Sequence, residues 1–405
     1  MRRLHPNTDW ASLPLFDLTN WTRVRFGDIV KNLNETERDP EGAGIERFIG
    51  LEHLEPGSLH IRTWGNVADG TTFTRRCRPG QVLFGKRRAY QRKVAVAKFD
   101  AVVSGDIYVF APADDRLLPE FLPFICLSER FFQYAVETSA GSLSPRTNWK
   151  HLAEFEFARP PLEQQRRIAE VLWAVDEAKQ SASVLRDSAE ILRKTSLLNI
   201  FSHLENKYPK KSIRDLGEIQ LGRQRAPKYT TGLCPKPYLR VVNVLDGQLD
   251  LTDVLEMDFD DRDFARYRLQ PGDILVTEGD ITSPYNVGRS AVYHGEIADC
   301  CFQNTLIRFR AGELLIPDYA HFALQNALYR GIFAAVASTT TVTHLGAKRF
   351  GTVKIPVPPL DVQQEVCKKL FDPISLVTVA KEHTEQTNTL LSQFIQQLFG
   401  KFDVN

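Results

Sequence analysis

The stretch Arg159-Pro160-Pro161-Leu162-Glu163-Gln164-Gln165-Arg166-Arg167-Ile168-Ala169-Glu170-Val171-Leu172 returns near the end of the chain as Val357-Pro358-Pro359-Leu360-Asp361-Val362-Gln363-Gln364-Glu365-Val366-Cys367-Lys368-Lys369-Leu370. Pro161 matches Pro359 and Gln165 matches Gln363, with 359 − 161 and 363 − 165 both giving 198. Self-similarity at so long a period means two copies of a whole domain with its exit helix, not a solenoid of short units. Two successive prolines cannot sit inside a helix, but the second can occupy the first turn, where its missing N–H costs nothing. Each copy therefore opens a helix at its second proline, and Pro161, Leu162, Gln165 and Ile168 in one and Pro359, Leu360, Gln363 and Val366 in the other are the candidate residues for starting the helices and docking a partner.

Beyond Pro161, Ile168, Val175, Ala182 and Ala189 recur every seven residues, as do Val171, Ala178, Leu185 and Leu192. Such a seam predicts either a helix packed lengthwise on another helix or a long amphipathic helix lying on its own domain. The second copy has rows at Leu370, Val377, Thr384, Leu391 and Leu398 and at Val366, Ala380, Thr387 and Phe394, with Pro373 predicting a kink or restart after Asp372. The predicted fold class is α+β: two similar mixed domains, 1–158 and 206–356, alternating with two long helices, 159–205 and 357–405, packed as an antiparallel coiled coil.

Charged residues at 25% and apolar ones at 43% are ordinary for a globular protein, and the net charge is only +1. No apolar run approaches the roughly 20 residues that span a bilayer, and no signal-peptide core follows Met1, so a cytoplasmic protein without membrane contact is expected. The six cysteines form no C-x-x-C pair and the nine histidines no H-E-x-x-H, so neither a disulfide framework nor a metal site is expected.

Charge distribution says more than its sum. Between Gly70 and Phe99 lie Arg75, Arg76, Arg78, Lys86, Arg87, Arg88, Arg92, Lys93 and Lys98 with no Asp or Glu, and Tyr90 stands among them. Self-repulsion makes such a run costly unless something anionic faces it, which points to nucleic-acid phosphate over a merely solvated loop. The matching stretch of the second half, Thr277 to Arg289, is polar; it either reads base edges through Thr277, Ser283, Tyr285, Asn286 and Arg289 or is a plain Gly/Ser/Pro loop. A hydroxyl-rich loop precedes each long helix, offering Ser142, Ser144, Arg146 and Asn148 in one half and Thr340, Thr341, Thr343 and His344 in the other, groups able to donate to phosphates or bases. Arg223 and Arg225 complete the candidate DNA-binding residues. The acids Asp250, Asp253, Glu256, Asp258, Asp260, Asp261 and Asp263 are read as a solvated face turned from DNA or a patch for a basic partner.

The doubled Pro-Pro-Leu-x-x-Gln helix entry, the Pro-Gly-Asp-Ile-Leu turn at Pro271 to Leu275 and the Gly/Ser/Thr loop before each helix together resemble the DNA-specificity (S) subunit of type I restriction-modification systems, over nearly the whole chain. The resemblance implies two target-recognition domains, each reading one half of a split site in double-stranded DNA, and two helices that fix the gap and dock two modification subunits. It places S-adenosylmethionine on those subunits and ATP and magnesium on restriction subunits, with no cofactor on this chain. Gln81 departs from the family's Pro-Gly-Asp turn, Val362 stands where the first copy has Gln164, and Pro373 interrupts the second helix. A helix from residue 161 to about 200 would rise roughly 60 Å, enough to hold two readers more than one duplex turn apart.

The rival readings are a stand-alone DNA-modifying enzyme and a scaffold with no DNA role. The sequence has no Asn-Pro-Pro or Asp-Pro-Pro followed by an aromatic, no Walker A loop and no nuclease-like cluster of carboxylates followed by lysine. A non-catalytic specificity subunit is the expectation.

Overall fold

The computed structural model describes residues 18, 20–229, 231–280, 287–339 and 343–400. The chain divides into two compact units, residues 1–183 with 382–405 and residues 184–381.

In the first unit, strands Val30–Leu33, Ile107–Pro112, Val82–Gly85 and Val94–Val96 lie side by side in that order, every pair antiparallel. A second sheet pairs Arg47–Ile49 in parallel with Ala101–Val103 and carries Gly65–Asn66 and Arg75–Cys77 on its edges. The second unit repeats the plan. Gly217–Leu221, Leu306–Ala311, Ile274–Thr277 and Ser290–Val292 form the antiparallel sheet, and Pro235–Leu239 pairs in parallel with Cys301–Phe302 and antiparallel with Leu255–Asp258. The central strands Val82–Gly85 and Ile274–Thr277 are buried along their whole length, as the short apolar run after each Pro-Gly leads one to expect. Their entry turns need a left-handed residue, supplied by Gly80 (φ 88°) and Gly272 (φ 92°). The turn is closed alike in both copies: Gln81 Oε1 accepts from Arg78 N at 2.7 Å, and Asp273 Oδ2 accepts from Gln270 N at 2.7 Å. Gln81 thus does the turn-closing work of the aspartate it replaces.

Two aromatic-rich segments fold as helix pairs over the sheets, Leu122–Leu127 with Glu129–Glu137 and Pro317–Tyr329 with Ile332–Val336. Phe26, Phe84, Phe110, Phe124 and Phe131 fill the first core; Tyr319, Phe322, Phe333 and Phe350 fill the second. A short antiparallel pair then leads to each long helix, Thr22–Arg25 with Glu156–Arg159 and Lys210–Ser212 with Lys354–Pro356.

The long helices run Leu162–Lys207 and Leu360–Phe399. In the first unit the start of the former packs against the end of the latter, with Ile168, Ala169 and Leu172 sharing a core with Leu391, Ile395, Leu398 and Phe399. In the second unit the ends are exchanged: Leu197, Phe201 and Leu204 pack with Val366, Cys367 and Leu370. This is the antiparallel pairing expected, and each helix also lies on a globular core, so both readings of the seam hold.

Two details differ from expectation. Leu185 and Leu192, in the second row of the first helix, are about half exposed, and Val171 and Ala178 are not buried. The first row holds, with Ile168, Ala182 and Ala189 buried and Val175 packed against the core, and the buried stripe is completed by Gln165, Leu172, Asp176, Ser183, Arg193 and Leu197, several of them polar with specific partners. The second helix continues unbroken through Pro373, because one missing backbone bond is outweighed by the flanking contacts of Leu370, Val377 and Ala380.

Gln165 and Gln363 make the same three bonds. Gln165 Oε1 accepts from Leu118 N at 2.9 Å while Nε2 donates to Arg116 O at 3.0 Å and Pro160 O at 2.9 Å. Gln363 Oε1 accepts from Ile316 N at 2.9 Å while Nε2 donates to Leu314 O and Pro358 O, both at 2.9 Å. Both glutamines are fully buried. The repeated glutamine therefore locks each helix start to the loop beneath it.

Candidate nucleic-acid interface

The acid-free run of residues 70–99 is acid-free in sequence but not in space. Arg76 is held by Asp100 at 2.5 Å, Arg78 by Glu35 at 2.5 Å and Arg92 by Glu129 at 2.5 Å. Arg75 donates to Ile107 O at 2.6 Å, Lys93 to Leu51 O at 2.7 Å, and Lys98 Nζ lies 2.8 Å from His60 Nδ1. Arg75, Arg76, Arg78, Arg92 and Lys93 are thus committed within the fold, which removes the self-repulsion argument for them.

What remains is gathered at one corner. Gly85 pairs with Ile107 across the sheet, so the loop leaving Val82–Gly85 starts beside Asp106, and Lys86 N donates to Asp106 O at 2.9 Å. The hairpin Ser139–Ala140 with Arg146–Thr147 docks on the same loop. Arg87 and Arg146 form a β-bridge, Arg88 N donates to Pro145 O at 2.7 Å, and Thr147 N donates to Lys86 O at 2.8 Å. Tyr108 secures the junction from below, its hydroxyl donating to Thr147 O at 2.9 Å. The basic loop and the hydroxyl-rich loop, read separately in the sequence, are one surface.

Its charge is unbalanced. Arg87 (3.4 Å) and Arg146 (2.9 Å) share the Asp106 carboxylate, and Arg87 Nε also donates to Ser144 Oγ at 2.8 Å. Lys86 lies over the Tyr108 ring at 5.0 Å; neither it nor Arg88 has an ion-pair partner among the described residues. Burial, then the neighbouring Arg75 guanidinium, hold the Lys86 ammonium below its ordinary range. An anion arriving here gains from that surplus. Tyr90 and Ser142 are exposed at the rim, and Leu143 at the hairpin tip is 90% exposed. Asn148 instead caps the helix Trp149–Leu152, accepting from Lys150 N at 3.0 Å. Sequence reasoning missed Asp106, because only the strand register brings it to the loop, and Leu143, because a lone leucine in a polar loop carries no pattern.

The second unit builds the matching place differently. Gly279–Asp280 pairs with Thr343–His344, which pairs with Ser338–Thr339, and His344 Nδ1 donates to Glu278 Oε2 at 2.9 Å. Arg349, which the sequence reading did not select, donates to Ser338 Oγ at 2.9 Å. Thr277 and Thr343 are buried, Arg289 is half-buried and Arg225 exposed. Arg223 is a correction: it is buried, stacked 3.7 Å over Tyr229 and paired with Asp263 at 2.7 Å, and so braces the domain rather than facing a ligand. Ser283, Tyr285, Asn286, Thr340 and Thr341 lie outside the described residues. The acidic stretch is likewise no simple solvated face. Asp258 is buried under backbone N–H donors of Thr231, Gly232 and Cys234, and those bonds, led by the Thr231 hydroxyl, hold its carboxyl below the ordinary range.

The helix-entry residues divide. Pro161, Leu162, Pro359 and Leu360 stay exposed, whereas Gln165, Ile168, Gln363 and Val366 are buried within their own units and have no surface to offer a partner. Among the described residues, no His/Cys/Asp/Glu group is arranged to hold a metal ion and no helix is long and apolar enough to cross a membrane.

Comparison with known proteins agrees with this architecture. The family model for the type I restriction modification DNA specificity domain matches residues 69–186 and 206–388, one match for each repeat. A putative type I restriction enzyme MjaX specificity subunit of Methanocaldococcus jannaschii is 27% identical over 168 residues, 41% of this chain and 39% of that protein. The type I restriction enzyme EcoDI specificity subunit of Escherichia coli is 28% identical over 171 residues, 40% of this chain and 35% of that protein. The aligned stretches thus span about two fifths or less of those relatives' length. Among solved structures, one concerned with complex assembly and conformational transition of the type I R-M system shares the fold with a TM-score of 0.59 at 19% identity, covering 95% of this chain and 99% of that one. The type I restriction-modification S subunit from M. genitalium does so with a TM-score of 0.58 at 15% identity, covering 96% and 98%. With both repeats matched in order and the duplicated topology in place, the chain belongs to the type I restriction modification DNA specificity domain family.

Proposed function

We propose that this chain is the sequence-specific DNA-binding subunit of a type I restriction-modification complex and carries no catalysis of its own. Each unit reads one half of a split, asymmetric site in double-stranded DNA, and the two long helices set the gap between the halves. The carrying observation is the cationic corner of the first unit, where Arg87 and Arg146 share the Asp106 carboxylate and Lys86 and Arg88 have no ion-pair partner among the described residues. A fold that neutralises Arg76, Arg78 and Arg92 internally has left a surplus of positive charge on Lys86, Arg87 and Arg146 for an external anion. The corresponding corner of the second unit, with Glu278 and His344 paired, has different chemistry and suits a different half-site.

Modification subunits dock on the helices in this reading, bringing S-adenosylmethionine, and restriction subunits bring ATP and magnesium. Val184 and Ile191, and Leu185 and Leu192, each seven apart, stay exposed on the first helix, an apolar strip of the kind partner proteins cover.

Duplex binding measured against salt tests the DNA reading. Every phosphate that the protein ceases to neutralise makes the fall of log affinity with log salt shallower by about 0.9. The variant carrying Lys86→Ala, Arg87→Ala and Arg146→Ala should show a slope shallower by roughly 2–3 than the parent. An unchanged slope would place the phosphate-binding residues elsewhere.

A further inference from the structure

We infer that Arg88 is the base-reading side chain of the first unit and that its target is a guanine. This rests on the DNA reading above and goes beyond it by naming the residue and the base.

Arg88 and Arg92 bracket the single turn Ala89–Gln91, and both adopt the left-handed backbone conformation, φ 55° and φ 57°. Side chains other than glycine pay for that conformation, so such residues persist where the surroundings enforce them, and they cluster at sites of function. The surroundings here enforce it from several directions. Ala89 is buried in the core, Arg88 N is tied to Pro145 O, Gly57 N donates to Arg92 O at 3.3 Å, and Lys93 is bridged to Pro56.

The two arginines then part company. Arg92 closes the turn from inside, paired with Glu129 and lying 5.0 Å over the Phe132 ring. Arg88 has no side-chain partner among the described residues; its Nε is shielded from solvent yet makes no hydrogen bond. Tyr90, between them, is 55% exposed. The turn therefore holds one uncommitted guanidinium on a fixed backbone beside a cationic surface.

Binding a phosphate needs no such rigidity, because a flexible lysine or arginine finds a phosphate oxygen from many positions. Bidentate recognition of a base edge does need it, and the guanidinium fork matches the O6 and N7 acceptors that guanine presents in the major groove. Lysine at the same place keeps the charge and loses the fork.

The test is selection of binding sites from a randomised duplex library by the full chain assembled with its modification subunits, for the parent, Arg88→Lys and Arg88→Gly. The parent should select two blocks of sequence, and Arg88→Lys should lose preference for one guanine in one block by roughly tenfold or more, leaving other positions and the salt slope unchanged. Arg88→Gly, which relieves the backbone, should lose the same guanine while its thermal midpoint holds or rises. An unaltered preference in Arg88→Lys, a uniform loss across all sequences in Arg88→Gly with a salt slope about one unit shallower, or a fall in the Arg88→Gly midpoint each overturns the assignment. A parent that selects no sequence at all sinks the DNA reading itself.

Discussion

Gln165→Leu should destabilise the first unit by about 2–4 kcal/mol although leucine fills nearly the same volume, because a buried donor or acceptor left without a partner costs about 1–3 kcal/mol. The substitution orphans the Leu118 N–H and strips the amide bonds from Arg116 O and Pro160 O at once. The buried setting keeps water from replacing them all. Gln363→Leu should cost the second unit a similar amount, since its three bonds are the same in kind and length. Urea unfolding of each variant, followed by a probe in the affected unit, reads the effect. A loss below about 0.5 kcal/mol in both would mean that the repeated glutamine is not what fastens each helix to its domain.

The second large effect lies at Asp176, whose carboxylate is buried on the first long helix and sits 2.5 Å from His60 Nε2. His60 Nδ1 faces the Lys98 ammonium at 2.8 Å, which can only donate, so Nδ1 accepts and Nε2–H donates to Asp176. Nearby, Arg62 donates to Gln180 at 2.6 Å and Lys179 to Gly57 O at 2.8 Å, so the loop from Gly57 to Arg62 is latched to the helix at three places. Asp176→Ala leaves the imidazole N–H buried without an acceptor and deprives the half-buried Lys179 ammonium of a neighbouring negative charge. A hydrogen bond to a charged group is worth about 1.5–3 kcal/mol and an orphaned buried donor costs about 1–3 kcal/mol, so a loss of about 2–3 kcal/mol is expected in thermal or urea unfolding. The double variant His60→Phe with Asp176→Leu, which removes both partners and keeps the volume, should recover most of it. If the double variant is as unstable as the single, the latch owes its strength to packing against Trp173, whose ring lies 6.3 Å from that of His60.

These two residues also show where the sequence was legible. The duplication could be read because Pro-Pro-Leu-x-x-Gln repeats as letters, and the second helix because its buried rows, Leu370 to Leu398 and Val366 to Thr387, are mostly apolar and evenly spaced. In the first helix the row Ile168, Ala182 and Ala189 was legible but the second row misled, because Gln165, Asp176 and Arg193 complete the buried stripe while Leu185 and Leu192 face outward. Counting apolar letters finds a stripe only when burial is achieved without hydrogen bonds, and here Arg193 is kept inside by Glu190 at 2.8 Å and Tyr329 at 2.6 Å.

The site was half legible for a related reason. Arg76 and Lys86 look alike in the run, yet Asp100 neutralises one, and no carboxylate among the described residues pairs with the other. That difference is fixed by strand register and by residues far along the chain, Glu35, Asp106 and Glu129, which no local window contains. Composition located the surface; only topology could sort its members.

In the function proposed above, each copy of the duplicated module reads its own half-site and the paired helices are the ruler between the halves. A map of methylated adenines in cells carrying this chain and its modification subunits decides the matter, for the parent and for a variant with seven residues inserted in each long helix, after Ala182 and after Lys381. A heptad adds roughly 10 Å of helix, about three base pairs of duplex. The expected map is a two-part motif whose blocks keep their letters while the gap between them lengthens; a single continuous motif in the parent, or an unchanged gap in a folded variant, would show that the helices are no ruler and the halves no pair of readers.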